Sequence, residues 1–332
     1  MRFVTTAFLT ASLLGGILAA EDQKDHIKAQ VLSAIYSTDV YARGEPFRLE
    51  AHARLMFEQQ TPGTYKLFWA SPERWREEIR AGDFEEVWVR NGNNQWISRN
   101  LGYPPLRVQE LRDLFGSKHP VNVTNKDIKH TEQRKTSGID LNCAEFIVSD
   151  PGHSPSSETL CVNATTGAPV IREIRLGRGE HKVVAQLEGY SAFGDRQYPR
   201  SLRVTEDRSM VVESSVDRLA AESLDASLFS PLEGVDAWPT CDDVKHPESI
   251  HTPDPEYTDE ARKRRIQGVV TLYALIGAEG TVRKTAVLRR LEPGLDNQAE
   301  NAVFTWKFKP ALCGTLPVPS EITVDVSFRL FR

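Results

Sequence analysis

The chain reads as an α+β protein in two parts: a long, curved antiparallel sheet with lid helices, then a small α-β-β-α-β domain. Three observations predict this. Between residues 47 and about 220, apolar and polar residues alternate with period two in a dozen short runs separated by turn signals. Helical spacing interrupts that pattern only ahead of the first run and near residue 110. From Pro253 onward helix and strand signals follow one another in a different, compact order.

The first element is "MRFVTTAFLTASLLGGILAAED", with Arg2, an apolar run and small residues before Glu21. This is the layout of a secretory signal peptide over residues 1–20, cleaved after Ala20. The rival reading is an uncleaved anchor, for which Phe3 to Ala20 is short and interrupted by threonines, Ser12 and two glycines. Export makes the four cysteines readable as disulfides. Of the three pairings that four cysteines permit, nearest-in-domain pairing selects Cys143–Cys161 and Cys241–Cys313. No cysteine or histidine spacing suits a metal, and no cofactor motif is present.

After the leader, Ile27, Val31, Ala34, Ile35 and Val40 follow mostly helical spacing up to Gly44. Then come "FRLEAHARLMF", "GTYKLFWAS", "RWREEIRAG", "FEEVWVRNG" and "QWISRN", punctuated by Pro62-Gly63, Ser71-Pro72, Gly82-Asp83 and Asn91-Gly92. These are successive hairpins. "PPLRVQELRDLFG" inserts a helix, and seven further strand-like runs lead to residue 220. So long a sheet must curve, and the two helices are its natural lids. Alternation makes Leu67, Trp69, Val87, Val89 and Trp96 candidates for the inner wall and for an apolar cavity.

The stretch "GTYKLFWASPERWREEIRAGDFEEVWVRNGNNQWISR" resembles the central strands of the LolA/LolB-like periplasmic lipoprotein-carrier superfamily, at Gly63, Pro72, Trp75, Arg76, Asn91-Gly92 and Trp96. "NATTGAPV" is similar to that family's Thr-Gly-x-Pro hairpin. The resemblance covers about residues 22 to 220, within a domain spanning 21–224, and implies a half-barrel able to hold a lipid or acyl chain. Residues 225–240, "DASLFSPLEGVDAWPT", lack periodicity and read as a linker.

The rest, residues 241–332, begins with a helix capped by Thr258, acidic in its first turn and basic at its end, stopped by Gly268. "VVTLYALI", a glycine turn at Gly280 and "TVRKTAVLRR" form a hairpin. Leu295, Ala299, Ala302, Val303 and Trp306 share one helical face, with Trp306 the expected core anchor, and Pro310 ends the helix. "EITVDVSFRLF" is the last strand. Pro255 and Tyr257, Ala261-Arg262, Gly268, Gly280, Leu295-Asp296-Ala299 and Trp306-Phe308-Pro310-Ala311 together resemble the TonB C-terminal domain. That resemblance implies a periplasmic module gripping a short extended peptide of an outer-membrane receptor by strand addition. The strand concerned would be the terminal one, with Ile322, Val324, Val326, Phe328 and Leu330 on one side and Arg329 and Arg332 facing acidic partner residues.

Composition excludes several functions. The net charge of −5 disfavours a partner held by phosphate neutralisation, so no nucleic acid is expected. The seryl and histidyl cluster at residues 149–158 lacks a nucleophile-elbow pattern and reads as a hairpin tip. Glu77-Glu78 and Glu85-Glu86 are adjacent within strands, hence on opposite faces, which disfavours an acid/base pair. The expectation is a non-enzymatic envelope protein: an adaptor engaging a TonB-dependent receptor, or a lipid carrier docked by its C-terminal domain, or a transducer held by an uncleaved N-terminal helix.

Overall fold

In the computed structural model, residues 8–116, 118, 121–148, 156–176, 181–206, 209–241 and 244–330 are described. Helix α1 (Phe8–Thr38) opens the chain. Residues 1–7 of the expected leader lie outside the described residues, and among those described no helix is long and apolar enough to cross a membrane.

The alternating runs become strands almost one for one. A first meander comprises β1 (Phe47–Met56), β2 (Gln60–Ser71), β3 (Arg74–Ala81), β4 (Phe84–Asn91) and β5 (Asn94–Arg99). Helix α2 (Leu106–Leu114) follows. A second comprises β6 (Ile128–Thr136), β7 (Ile139–Val148), β8 (Ser156–Asn163), β9 (Pro169–Leu176) and β10 (His181–Glu188). A small hairpin of β11 (Ser191–Phe193) and β12 (Arg196–Tyr198) then leads to β13 (Ser201–Glu206) and β14 (Ser209–Ala221). The meanders fuse where β1 pairs with β14, from Phe47 opposite Ala221 to Leu55 opposite Val212. With β15 (Trp238–Pro239) at one end, the order is β15-β5-β4-β3-β2-β1-β14-β13-β10-β9-β8-β7-β6.

This sheet is strongly curled. Seven strand spacings separate β4 from β9, about 34 Å if flat. Yet Glu86 of β4 contacts Arg112, and Arg172 of β9 donates to the carbonyl of Asp113, the next residue along α2 (3.2 Å). Both ends bend toward one helix. Helix α2 fills the concave face with Val108, Leu111 and Leu114, followed by Phe115. Helix α1 covers the β6–β8 end through Ile27, Val31, Ala34 and Ile35 against Ala144, Phe146 and Leu160. It stops at Thr38, short of the expected Gly44. There the Asp39 carboxylate accepts the amides of Tyr41, Ala42 and Val121 and redirects the chain into a short 3-10 turn ending at Gly44 (φ 68°).

The 225–240 segment is less free than a linker need be. Phe229 is buried, its carbonyl accepts from Asn91, and Arg74 stacks on its ring. Trp238 and Pro239 then extend the sheet beyond β5.

In the C-terminal part, β16 (Glu248–His251) precedes α3 (Asp259–Lys263), β17 (Gly268–Ile276), β18 (Val282–Arg289) and α4 (Pro293–Thr305). The last strands are β19 (Lys307–Lys309), β20 (Ala311–Cys313), β21 (Leu316–Val318) and β22 (Ser320–Phe328). A sheet of order β18-β17-β22 packs Val270, Leu272, Ala274 and Val326 against Leu295, Ala299 and Val303 of α4. Thr258 caps α3 as expected, accepting the Ala261 amide. Trp306 is a correction. It ends α4 half-buried with its Nε1 donating to the Pro253 carbonyl, while Phe308, two residues on, enters the core. Lys307 and Lys309 do point outward, but on a strand that the periodicity did not reveal, paired with β16. Both expected disulfides, Cys143–Cys161 and Cys241–Cys313, are present.

Candidate functional site

Strand β22 lies at the edge of its sheet. It pairs along its whole length with β17, from Ser320 opposite Ile276 to Phe328 opposite Gly268, and among the described residues no strand flanks its other side. Alternation divides its side chains. Val326 and Phe328 are buried against α4, Ile322 and Val324 are half-buried on the same face, and Thr323, Asp325 and Ser327 are exposed. Arg329 and Leu330 follow the strand's end, where the Leu330 amide donates to the Gln267 side chain (3.0 Å); Arg332 lies outside the described residues. A peptide at this edge would therefore meet main-chain groups, the flanks of Ile322 and Val324, and the exposed polar residues. Val326 and Phe328 hold the strand in place through the core.

The face of this sheet turned away from α4 rests on the large sheet's open side. Arg99 of β5 donates to both Glu321 oxygens (2.7 and 3.2 Å), and Tyr273 adds its hydroxyl to the same carboxylate (2.8 Å). The rings of Tyr103 and Tyr273 lie 6.1 Å apart. Thr323 hydrogen-bonds Gln109 of α2 (3.1 Å), and Arg289 of β18 contacts Glu206 of β13. On β22 itself these contacts involve Glu321 and Thr323; the Arg289 contact lies two strands away, level with Asp325.

Behind Glu321 runs a chain of buried charges. Arg99 also meets Glu86, Glu86 meets Arg112, and Arg112 meets Glu77, which Lys118 and the Tyr65 hydroxyl complete. Glu77 and Glu86 are each no more than 2% exposed. Burial alone would push the Glu77 carboxyl up, but Lys118 and Arg112 outweigh it and hold it down at about 2. Burial opposes the charge on Arg99, yet Glu321 and Glu86 raise its pKa overall. The expectation that neighbouring glutamates face opposite ways holds within each strand. What it missed is that Glu77 and Glu86 share the inner face from two strands, with α2 supplying the cation between them. Their inward parity among apolar residues was the available signal.

The proposed cavity wall does not form as one surface. Pairing register puts Leu67 and Trp69 with Trp75, Glu77 and Trp88 on the concave face. Val87, Val89 and Trp96 pair with Glu78, Arg76 and each other on the opposite, convex face. There the 226–229 turn covers β3 and β4. An offset of one residue between strands inverts a whole set. On the concave side, Phe115 stacks on Tyr65 (4.0 Å), and the Lys118 carbonyl accepts from the Trp69 indole (2.8 Å). Helix α2 and the residues after it thus occupy the space beside Leu67 and Trp69.

No curated protein matches the chain. Among solved structures, a LolA superfamily protein from Nitrosomonas europaea is 14% identical, with 61% of this chain and 96% of that chain covered and a TM-score of 0.45. A putative outer membrane lipoprotein-sorting protein domain from Vibrio parahaemolyticus is 12% identical over 56% and 90% of the two chains, with a TM-score of 0.39. Residues 253–330 match the family described as Gram-negative bacterial TonB protein C-terminal. The domain whose last strand forms the open edge is thus the part of the chain that matches the TonB C-terminal family.

Proposed function

We propose that this protein is a non-enzymatic binding protein of the bacterial periplasm. Its β22 edge takes up an extended segment of an outer-membrane, TonB-dependent receptor by strand addition. The observation that carries this reading is the unpaired side of β22 in a domain matching the TonB C-terminal family. An edge strand presents a row of main-chain donors and acceptors to such a segment, and alternate side chains then set preference.

Proline substitution at two adjacent positions tests it. Along an antiparallel strand, successive amides point alternately toward the neighbour and away from it. Of Val324→Pro and Asp325→Pro, one removes a β17 hydrogen bond and lowers the melting temperature. The other removes an outward amide and leaves the fold intact. Titration calorimetry with a synthetic receptor segment should then show binding lost in the folded variant. Binding retained in a folded variant lacking the outward amide would sink the proposal.

The carrier reading needs the concave face to open. That face is filled by α2, so a lipid there depends on whether the helix can leave.

A further inference from the structure

Helix α2 has two sides with different partners. Toward the large sheet it buries Val108, Leu111 and Leu114, and Phe115 beyond it stacks on Tyr65. Its polar residues are tied to the C-terminal domain directly, through one intermediate, or through two. Gln109 meets Thr323. Arg107 holds Glu206 (3.1 Å), the carboxylate that Arg289 of β18 also contacts. Arg112 holds Glu86, which holds Arg99, which holds Glu321. Three separate connections therefore join nine residues of helix to strands β18 and β22.

A helix this short has little stability of its own and depends on what packs against it. Its N-terminal end also borders a groove of about 320 Å³ between the two parts, lined by Met56, Phe57, Tyr103, Leu106, Val287 and Leu288 among others. There is room for displacement on that side.

We propose that the C-terminal domain is a lock on α2: docking of its sheet holds the helix in the concave face, and undocking frees the helix to leave. Seat and dock form and break together. By linkage, anything that occupies the concave face in place of α2 weakens docking by the same factor with which docking excludes it. The inference does not depend on peptide binding at β22, since it concerns the face of that sheet rather than its edge.

Removing the C-terminal partners, not the buried ones, is the cleanest perturbation. Without Glu321, Arg99 keeps Glu86; without Arg289, Glu206 keeps Arg107. Hydrogen–deuterium exchange of the full chain is compared for wild type and the Glu321→Ala/Arg289→Ala double variant. Arg283→Ala serves as control, because its ion pair with Glu279 lies wholly within the C-terminal domain. The expected result is exchange in residues 106–116 at least ten-fold faster in the double variant, with β1, β2 and β14 protected as before and the control unchanged. Brighter fluorescence of added 8-anilinonaphthalene-1-sulfonate, reporting newly accessible apolar surface, should accompany it. Unchanged protection of 106–116 would overturn the proposal. So would loss of protection throughout the large sheet, because α2 would then not move as a separate unit.

Discussion

The guanidinium of Arg99 bridges Glu86, 2.5 Å from its Nε on the neighbouring strand, and Glu321, 2.7 Å from its Nη1 in the other domain. One nearly buried cation thus belongs to two networks at once. Arg99→Ala leaves Glu86 with Arg112 and leaves Glu321 with the Tyr273 hydroxyl. Breaking a buried pair by removing one partner costs about 3 kcal/mol or more. The variant should melt at lower temperature, and limited proteolysis should cut faster between residues 222 and 258. A melting curve and fragment pattern like those of wild type would show that Arg99 does not hold the domains together.

Glu77 predicts an acid response. Its folded pKa, about 2, lies below its ordinary value of 4.5. A depressed carboxylate stabilises the fold above the ordinary pKa, and that contribution disappears as pH falls through the folded one. The loss therefore falls between about pH 4.5 and pH 2. Urea titrations of wild type and Glu77→Gln at several pH values should show a stability gap that is constant above pH 5 and narrows toward pH 2. A gap independent of pH would contradict the assignment.

Gly280 predicts a fragile turn. Its φ is +81°, and an added Cβ would lie 1.9 Å from the Phe308 carbonyl oxygen. The Phe308 amide in turn donates to the Gly280 carbonyl (2.8 Å). Gly280→Ala should cost at least about 1–3 kcal/mol from backbone strain alone, with the clash adding to it. Phe308→Ala should cost about 3–5 kcal/mol and Trp306→Ala less, because the indole is only half-buried. Chemical denaturation of the three variants checks the order.

The disulfides predict unequal effects of reduction. Cys143–Cys161 spans 18 residues and Cys241–Cys313 spans 72. On the loop-entropy model these stabilise by about 3 and about 4 kcal/mol. Cys241→Ser/Cys313→Ser should therefore lower stability more than Cys143→Ala/Cys161→Ala, and the native protein should react with iodoacetamide only after reduction.

Much of this was legible along the chain because strands and turns are local. Period-two runs and the Asn91-Gly92 or Gly280 turns mark hairpins wherever they occur. The same locality let the C-terminal domain be read from Tyr257, Gly268, Asp296 and Phe308. Asp296 has a local role: buried in α4, it accepts the amides of Leu291 and Glu292 and shapes the helix start. Short strands such as β16 and β19 escaped, since three or four residues carry no measurable period.

Period-two runs, turn residues and cysteine positions carried the two-part organisation, the strands with their turns, the cysteine pairs and the resemblance of the C-terminal domain to its family. Which faces turn inward and where the two parts meet emerge in three dimensions alone. Inward parity depends on pairing register across strands, which is why Val87, Val89 and Trp96 fall on the convex side while Leu67 and Trp69 do not. The meeting of Arg99 with Glu321, 222 residues apart, depends on how a curled sheet presents its edge. No local pattern encodes a contact of that range, because the energy that selects it exists only once both surfaces have formed.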